Sequence, residues 1–230
     1  MLSKKKDIWI VISLCVLAFY IIFMIYPLGI LFKNAVIENN GSFTFAYFTK
    51  FLSKNYYFST IFNSFKVSLA ATALTLIIGT PLAYFYNMYK IKGKTFLQII
   101  IILCSMSAPF IGAYSWILLL GRNGLITNTI RNLTGFNVPS IYGFGGILLV
   151  LCMQLYPLVF LYVSGALRNI DNSLLEASEN MGCTGARRFF KIIIPLCIPT
   201  ILAAALMVFM RAFADFGTPL FIGEGYRTFP

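Results

Sequence analysis

Charge is missing from five long stretches of this chain: residues 8–32, 67–89, 95–121, 132–167 and 192–210 contain no Asp, Glu, Lys or Arg. A helix needs about 20 apolar residues to cross a hydrocarbon core of ~30 Å. The gaps are that long, so each predicts a membrane-crossing helix. The spans are read as 8–32, 62–87, 96–120, 143–166 and 192–213. The first part of the fourth stretch is loop-like, with Thr134-Gly135 and Val138-Pro139-Ser140 ahead of Gly143. Across 230 residues only 11% are charged and 59% are hydrophobic, with a mean hydropathy of +0.84. Soluble domains carry about 25% charge, so the sequence predicts an all-α polytopic membrane bundle. The long first run lacks a small-x-small cleavage site, so it reads as a retained span and not as a leader peptide.

The cations orient the bundle. Short basic clusters abut span ends at Lys4, Lys5 and Lys6, at Lys90, Lys92 and Lys94, and at Arg168, Arg187, Arg188 and Lys191. Compact Lys/Arg clusters mark cytoplasmic loops, which places the N-terminus inside. The net charge of +11 is then a topological signal and asks for no nucleic-acid partner. The chain has no His, which removes His-based catalysis and His metal ligation. No second intramembrane Asp, rhomboid-type Ser/His pair or GxxxxGK[ST] loop is present. Its five Cys form no CxxC pair and read as small apolar side chains. No catalytic residue, metal site or cofactor is expected in this chain.

Helix disruptors recur inside the spans: Gly79-Thr80-Pro81, Pro109 with Gly112, Pro157 after Gln154, and Pro195 with Pro199. Proline removes a backbone hydrogen bond and kinks a helix, so kinked or broken helices are expected. Such helices either pack as an ordinary bundle or line a pathway. Arg211 and Asp215 stand four apart at the end of the fifth span, at the spacing of a helical ion pair. An ionisable pair there is a candidate pathway site.

The loop 168–191 carries the sharpest pattern. Asp171 or Ser173 can cap a short helix, and Ser173 with Glu176 has capping-box spacing. Leu174, Leu175, Ala177, Ser178 and Met181 give it an apolar face. Gly182 supplies a stop, Gly185 a turn, and Thr184 a cap for the helix that follows. Anionic lipid would repel Glu176 and Glu179, so a basic protein partner is the expected occupant.

That loop resembles the EAA motif of ABC importer permeases. The family pattern is EAA, three residues, Gly, nine residues, I-x-L-P. Here Glu176-Ala177-Ser178, Gly182 and Ile192-x-Ile194-Pro195 fit every spacing, with Ser178 for the second Ala and Ile194 for Leu. The resemblance implies that the 171–185 segment is a coupling helix docking on a cytoplasmic ATPase subunit. Glu176, Ala177, Ser178, Gly182, Ile192 and Pro195 are its coupling residues. ATP and Mg would be bound by that partner.

Two further segments are similar to ferric-iron permeases: Pro109 through Tyr114 and Trp116 to Gly121-Arg122-Asn123-Gly124, and Ala214-Asp215-Phe216-Gly217-Thr218-Pro219. The resemblance implies a type I importer transmembrane domain in a bacterial inner membrane, among lipid, with an extracytoplasmic substrate-binding protein and a second permease half or subunit as partners. Ferric iron is the expected cargo; thiamine, a polyamine or another small solute is the alternative, with a secondary transporter behind these. Candidate pathway residues are Pro109, Tyr114, Arg122, Asn123, Arg211 and Asp215. Residues 1–230 are expected to form one transmembrane domain. Ferric-type permeases carry two halves of about six helices each, so a sixth helix is expected and the chain is read as truncated or split.

Overall fold

A computed structural model describes residues 3–37, 42–89, 92–106, 108–135, 140–226 and 228. Lys90, Val138 and Pro139, which figured in the sequence reading, lie outside them. Contacts divide the chain into two units, Met1–Phe58 and Ser59–Pro230. Among the described residues the secondary structure is helical, apart from one isolated antiparallel bridge between Ile37 and Phe43.

The first unit holds α1 (Ser3–Tyr20), α2 (Tyr26–Val36) and α3 (Ala46–Ser53). A π-helical turn at Ile21–Ile25 joins α1 to α2, so Ile8–Val36 is one apolar helix of 29 residues with none of its core window buried. The turn has a cause. Pro27 cannot donate to the preceding turn, and its ring crowds the carbonyl four residues back. Widening to an i→i+5 bond, Tyr26 N–H to Ile21 C=O, relieves that crowding.

α4 (Asn55–Met88) starts in the last residues of the first unit and supplies the first helix of the second. Then come α5 (Lys94–Ser105), α6 (Pro109–Leu120), α7 (Leu125–Thr134), α8 (Phe144–Arg168), α9 (Asn172–Asn180), α10 (Gly185–Arg188), α11 (Ile194–Phe213) and α12 (Gly217–Ile222). Among the described residues four helices are long and apolar enough to span a membrane: Ile8–Val36, Asn55–Met88, Phe144–Arg168 and Gly185–Phe213.

The third expected span is different. Residues 96–120 form two helices, and Lys94–Ser105 meets Phe110–Thr134 at 106°. The break falls where the residue before a proline resists helical geometry: Ala108 is extended, φ −66° and ψ 139°, and Pro109 opens α6. The two pieces make a fifth span only if counted as one broken element. By contrast Pro81, Pro157 and Pro199 sit inside continuous helices, so of these prolines only Pro109 stands at a break. The fifth span also starts earlier than residue 192. A second π turn, Phe189–Ile193, precedes Ile194-Pro195 as the first precedes Tyr26-Pro27, and it keeps Gly185–Phe213 continuous.

α8 is the core of the second unit. Ile147, Val150, Leu151, Leu155, Val159, Val163 and Leu167 form a buried stripe along it, and Cys152, Pro157, Phe160 and Ser164 are buried beside the stripe, so α8 is covered on more than one side. α11, α5, α12 and α6 pack on it. α4 approaches through small residues: Ser64, Ser68, Ala71, Thr72, Thr75, Gly79 and Ala83 are buried. Their hydroxyls are largely spent on their own helix; Thr75 Oγ1 donates to the Ala71 and Thr72 carbonyls at 2.8 Å, and Thr72 Oγ1 to Ser68 at 2.7 Å. At Gly79 an added Cβ would lie 2.8 Å from Val159 Cβ, so only glycine permits this helix spacing. Gly79→Val should therefore lower stability to unfolding in detergent by about 1–3 kcal/mol. Gly165→Ala, whose methyl meets nothing within 4 Å, should be neutral or stabilising by up to about 1 kcal/mol.

Candidate functional site

α9 is built by its caps. Asp171 is the N-cap, and its carboxylate accepts from Ser173 N–H at 3.0 Å. This decides between the two candidates and leaves Ser173 inside the helix, so the Ser173–Glu176 capping box is not formed. At the other end Cys183 N–H donates to Ser178 C=O (2.9 Å) and Gly182 N–H to Glu179 C=O (2.9 Å). These are the two bonds of a Schellman stop, which needs a left-handed residue; Gly182 has φ +74°. Thr184 precedes α10 as expected, but its hydroxyl makes no cap bond.

The face once read as a single apolar surface splits in two. Leu175 packs against the core, and Ser178 is buried with its hydroxyl donating to Leu175 C=O at 2.7 Å. Leu174, Ala177 and Met181 point outward, Leu174 and Met181 being 51% and 79% exposed. Glu176 is exposed and makes no hydrogen bond or ion pair among the described residues. Glu179 reaches Arg188 at 3.6 Å, its carboxylate exposed and the guanidinium side chain largely buried. One acid is thus internally engaged and the other is free beside an apolar stripe.

This segment is tied to the bundle by aromatic contacts. Phe189 of the π turn meets Tyr84 of α4 with ring centroids 4.7 Å apart. Ile193 is 2% exposed. Ile192 is half-buried beside it, and Pro195 is exposed at the start of α11. Nearby, Tyr86 donates to Gln98 Oε1 at 2.7 Å, and Asn87 to Ser164 Oγ at 2.8 Å, joining α4 to α5 and α8.

The six pathway candidates fall in separate places. Arg122 forms an ion pair with Glu224 and lies 5.4 Å from the Tyr142 ring. With Asn123, Thr127, Arg131 and Ser140 it lines a cavity of about 260 Å³. Glu224 escaped the sequence reading, because a lone acid in a tail has no pattern to flag it. Tyr114 is 54% exposed on α6 and Pro109 begins that helix. Arg211 and Asp215 line a second cavity of about 340 Å³ with Gln154, Phe110 and Leu155. They do not form the expected ion pair. Asp215 is held by α12: Gly217 N–H donates to Oδ1 at 2.9 Å, Thr218 N–H to the same oxygen at 3.4 Å, and Thr218 Oγ1 to Oδ2 at 2.6 Å.

Long apolar helices packed on α8, with a capped helix slung between α8 and α11, are the build of a multi-pass membrane protein. The chain belongs to the family of binding-protein-dependent transport system inner membrane components, whose model matches residues 75–229. It is 27% identical over 98% of its length to a Haemophilus influenzae protein assigned as a ferric transport system permease, and spans 36% of that protein's length. It is 25% identical over its whole length to a Salmonella typhimurium protein assigned as a 2-aminoethylphosphonate transport permease, spanning 80% of it. The fold matches the crystal structure of a bacterial alginate ABC transporter in complex with an alginate pentasaccharide-bound periplasmic protein. That match has a TM-score of 0.75 at 18% identity, over 99% of this chain and 78% of the other.

Asp215 now has a structural task, and the choice of substitution exposes it. Asp215→Ala should lose the three bonds to α12 and cost about 0.5–2 kcal/mol, as loss of a cap does. Asp215→Asn keeps an acceptor for the Gly217 and Thr218 amides and should retain most of the stability. Thermal unfolding of the two variants in detergent checks this; equal losses would argue that the charge itself is what matters.

Proposed function

We propose that this chain is the permease subunit of an ATP-driven ABC importer, forming part of the translocation pathway and coupled to cytoplasmic ATPase subunits through α9. The observation that carries the reading is the outward face of α9. Glu176 is free, Leu174 and Met181 are exposed, and caps at both ends hold the helix rigid. Burying the two apolar side chains on a partner is worth roughly 1.5–3 kcal/mol each. That exceeds what a half-screened Glu176 contact supplies. Glu176 then selects a basic cleft, and the apolar stripe holds it. ATP and Mg belong to the partner, which supplies the hydrolysis.

The remaining partners follow from family membership: an extracytoplasmic binding protein that delivers the solute, and a second permease half or subunit that completes the pathway. The location is a bacterial inner membrane with the N-terminus cytoplasmic, which puts α9 on the same side as the ATPase. Ferric iron is the cargo suggested by the ferric relative. A phosphonate is the alternative suggested by the 2-aminoethylphosphonate relative, 80% of whose length this chain spans, and a polyamine or thiamine permease is a further alternative. Family membership leaves the secondary-transporter alternative without support.

Glu176→Arg should abolish co-purification of the ATPase subunit while membrane abundance stays unchanged, because Glu176 is exposed and makes no hydrogen bond or ion pair among the described residues. Affinity purification of the complex from membranes reads both quantities at once. Undiminished ATPase capture by the variant would count against the coupling role.

A further inference from the structure

The cavity of about 340 Å³ between α8, α11, α6 and the turn into α12 holds two polar groups that the fold does not satisfy. Gln154 Oε1 is buried and accepts no hydrogen bond among the described residues. Arg211 is exposed and makes no ion pair or hydrogen bond among them. Asp215, past the end of that helix, lines the same cavity, and its carboxylate already accepts three hydrogen bonds from α12. The cavity is therefore lined by a guanidinium with no direct partner, a carboxylate engaged by α12 and one unused acceptor.

A buried carbonyl without a donor forfeits the hydrogen bond it had in water, and a guanidinium without a direct partner is free to take a counter-charge. The planar guanidinium fits a carboxylate or phosphonate through two parallel hydrogen bonds. The volume is at the lower end of the range for small-ligand sites, and Phe110, Leu151 and Leu155 give it apolar walls.

Resting on the importer reading above, we propose that this cavity receives an anionic group, carboxylate or phosphonate, of the transported solute. Arg211 supplies the counter-charge, and Gln154 accepts from a donor next to that group. Arg211 and Gln154 set specificity; Asp215 shapes the turn that closes the cavity.

The test follows thermal unfolding of the full chain in detergent with methylphosphonate, citrate, ferric citrate or glycerol, at ionic strength matched with chloride. Methylphosphonate or citrate should raise the unfolding temperature above chloride, and glycerol should not. Arg211→Gln should weaken the apparent affinity at least about tenfold, the size expected for loss of a charged hydrogen bond. Arg211→Lys should recover part of it. Gln154→Leu, which keeps the guanidinium, should weaken it less. A response to methylphosphonate identifies a free anionic solute, and a response to ferric citrate alone identifies the chelate. An equal response in wild type and Arg211→Gln overturns the proposal. So does no response to any anion, the result when a carboxylate from a second permease half fills the cavity. Failure of the importer reading shows separately, as a wild-type chain that captures no ATP-binding-cassette subunit.

Discussion

The close approach of α4 to α8 at Gly79 is the contact on which the second unit turns. Lipid is as apolar as leucine, so burying leucine against leucine in a bilayer gains little. Association there depends on dispersion at short range, and short range depends on small residues. Gly79 against Val159, with Ala71, Thr75 and Ala83 along the same stripe, supplies that proximity. The hydroxyls along it bond to their own helix, so few buried donors are left for the neighbour to meet.

From this contact the functional segment inherits its position. α4 ends in Tyr84 and Tyr86, which face Phe189 and Phe160 respectively. The first anchors the π turn behind the α9 segment; the second fixes α4 on α8. Gln98 and Ser164 add hydrogen bonds to α5 and α8 at the same end. The π turn lets Pro195 enter α11 without breaking it. The α9 segment therefore connects to a continuous helix and not to a flexible linker.

Much of this was legible in the sequence, for physical reasons that can be named. Charge-free runs of membrane length report hydrophobic thickness, so the spans at 8–32, 62–87, 143–166 and 192–213 map onto long helices. They do not report helix ends, because a helix continues past the membrane wherever its backbone bonds permit; hence Gly185–Phe213 reaches back through Arg187 and Arg188. Pro109 broke a span and Pro157 did not. The difference lies in surroundings: α8 is packed on several sides, whereas Ala108, just before Pro109, is exposed and extended. In the candidate site, Gly182 was readable because a left-handed stop has a strong residue preference. The rivalry of Asp171 and Ser173 for the cap was not, since both side chains suit it. Arg211 and Asp215 misled because i,i+4 spacing predicts a pair only while the helix lasts, and α11 ends at Phe213, leaving Asp215 to the next helix.

That termination has a mechanical consequence. The helix Gly185–Phe213 has 29 residues, so it is roughly 43 Å long at 1.5 Å per residue. One end follows directly from α9, with its free Glu176, and the other carries Arg211 into the cavity. Its middle is gripped by α8 through Cys197, Ala204 and Val208. Under the proposed coupling role, a displacement of α9 reaches Arg211 as movement of this rod. It need not pass through a chain of separate side-chain contacts. The π turn is the place where the rod yields first, since its i→i+5 bonds are the poorer ones. Arg211, lying just before the helix ends, moves with the rod, while Asp215 stays with α12. Relative motion of the two changes the cavity between them, and this gives a physical route by which work done at α9 alters how firmly a solute is held near the opposite end.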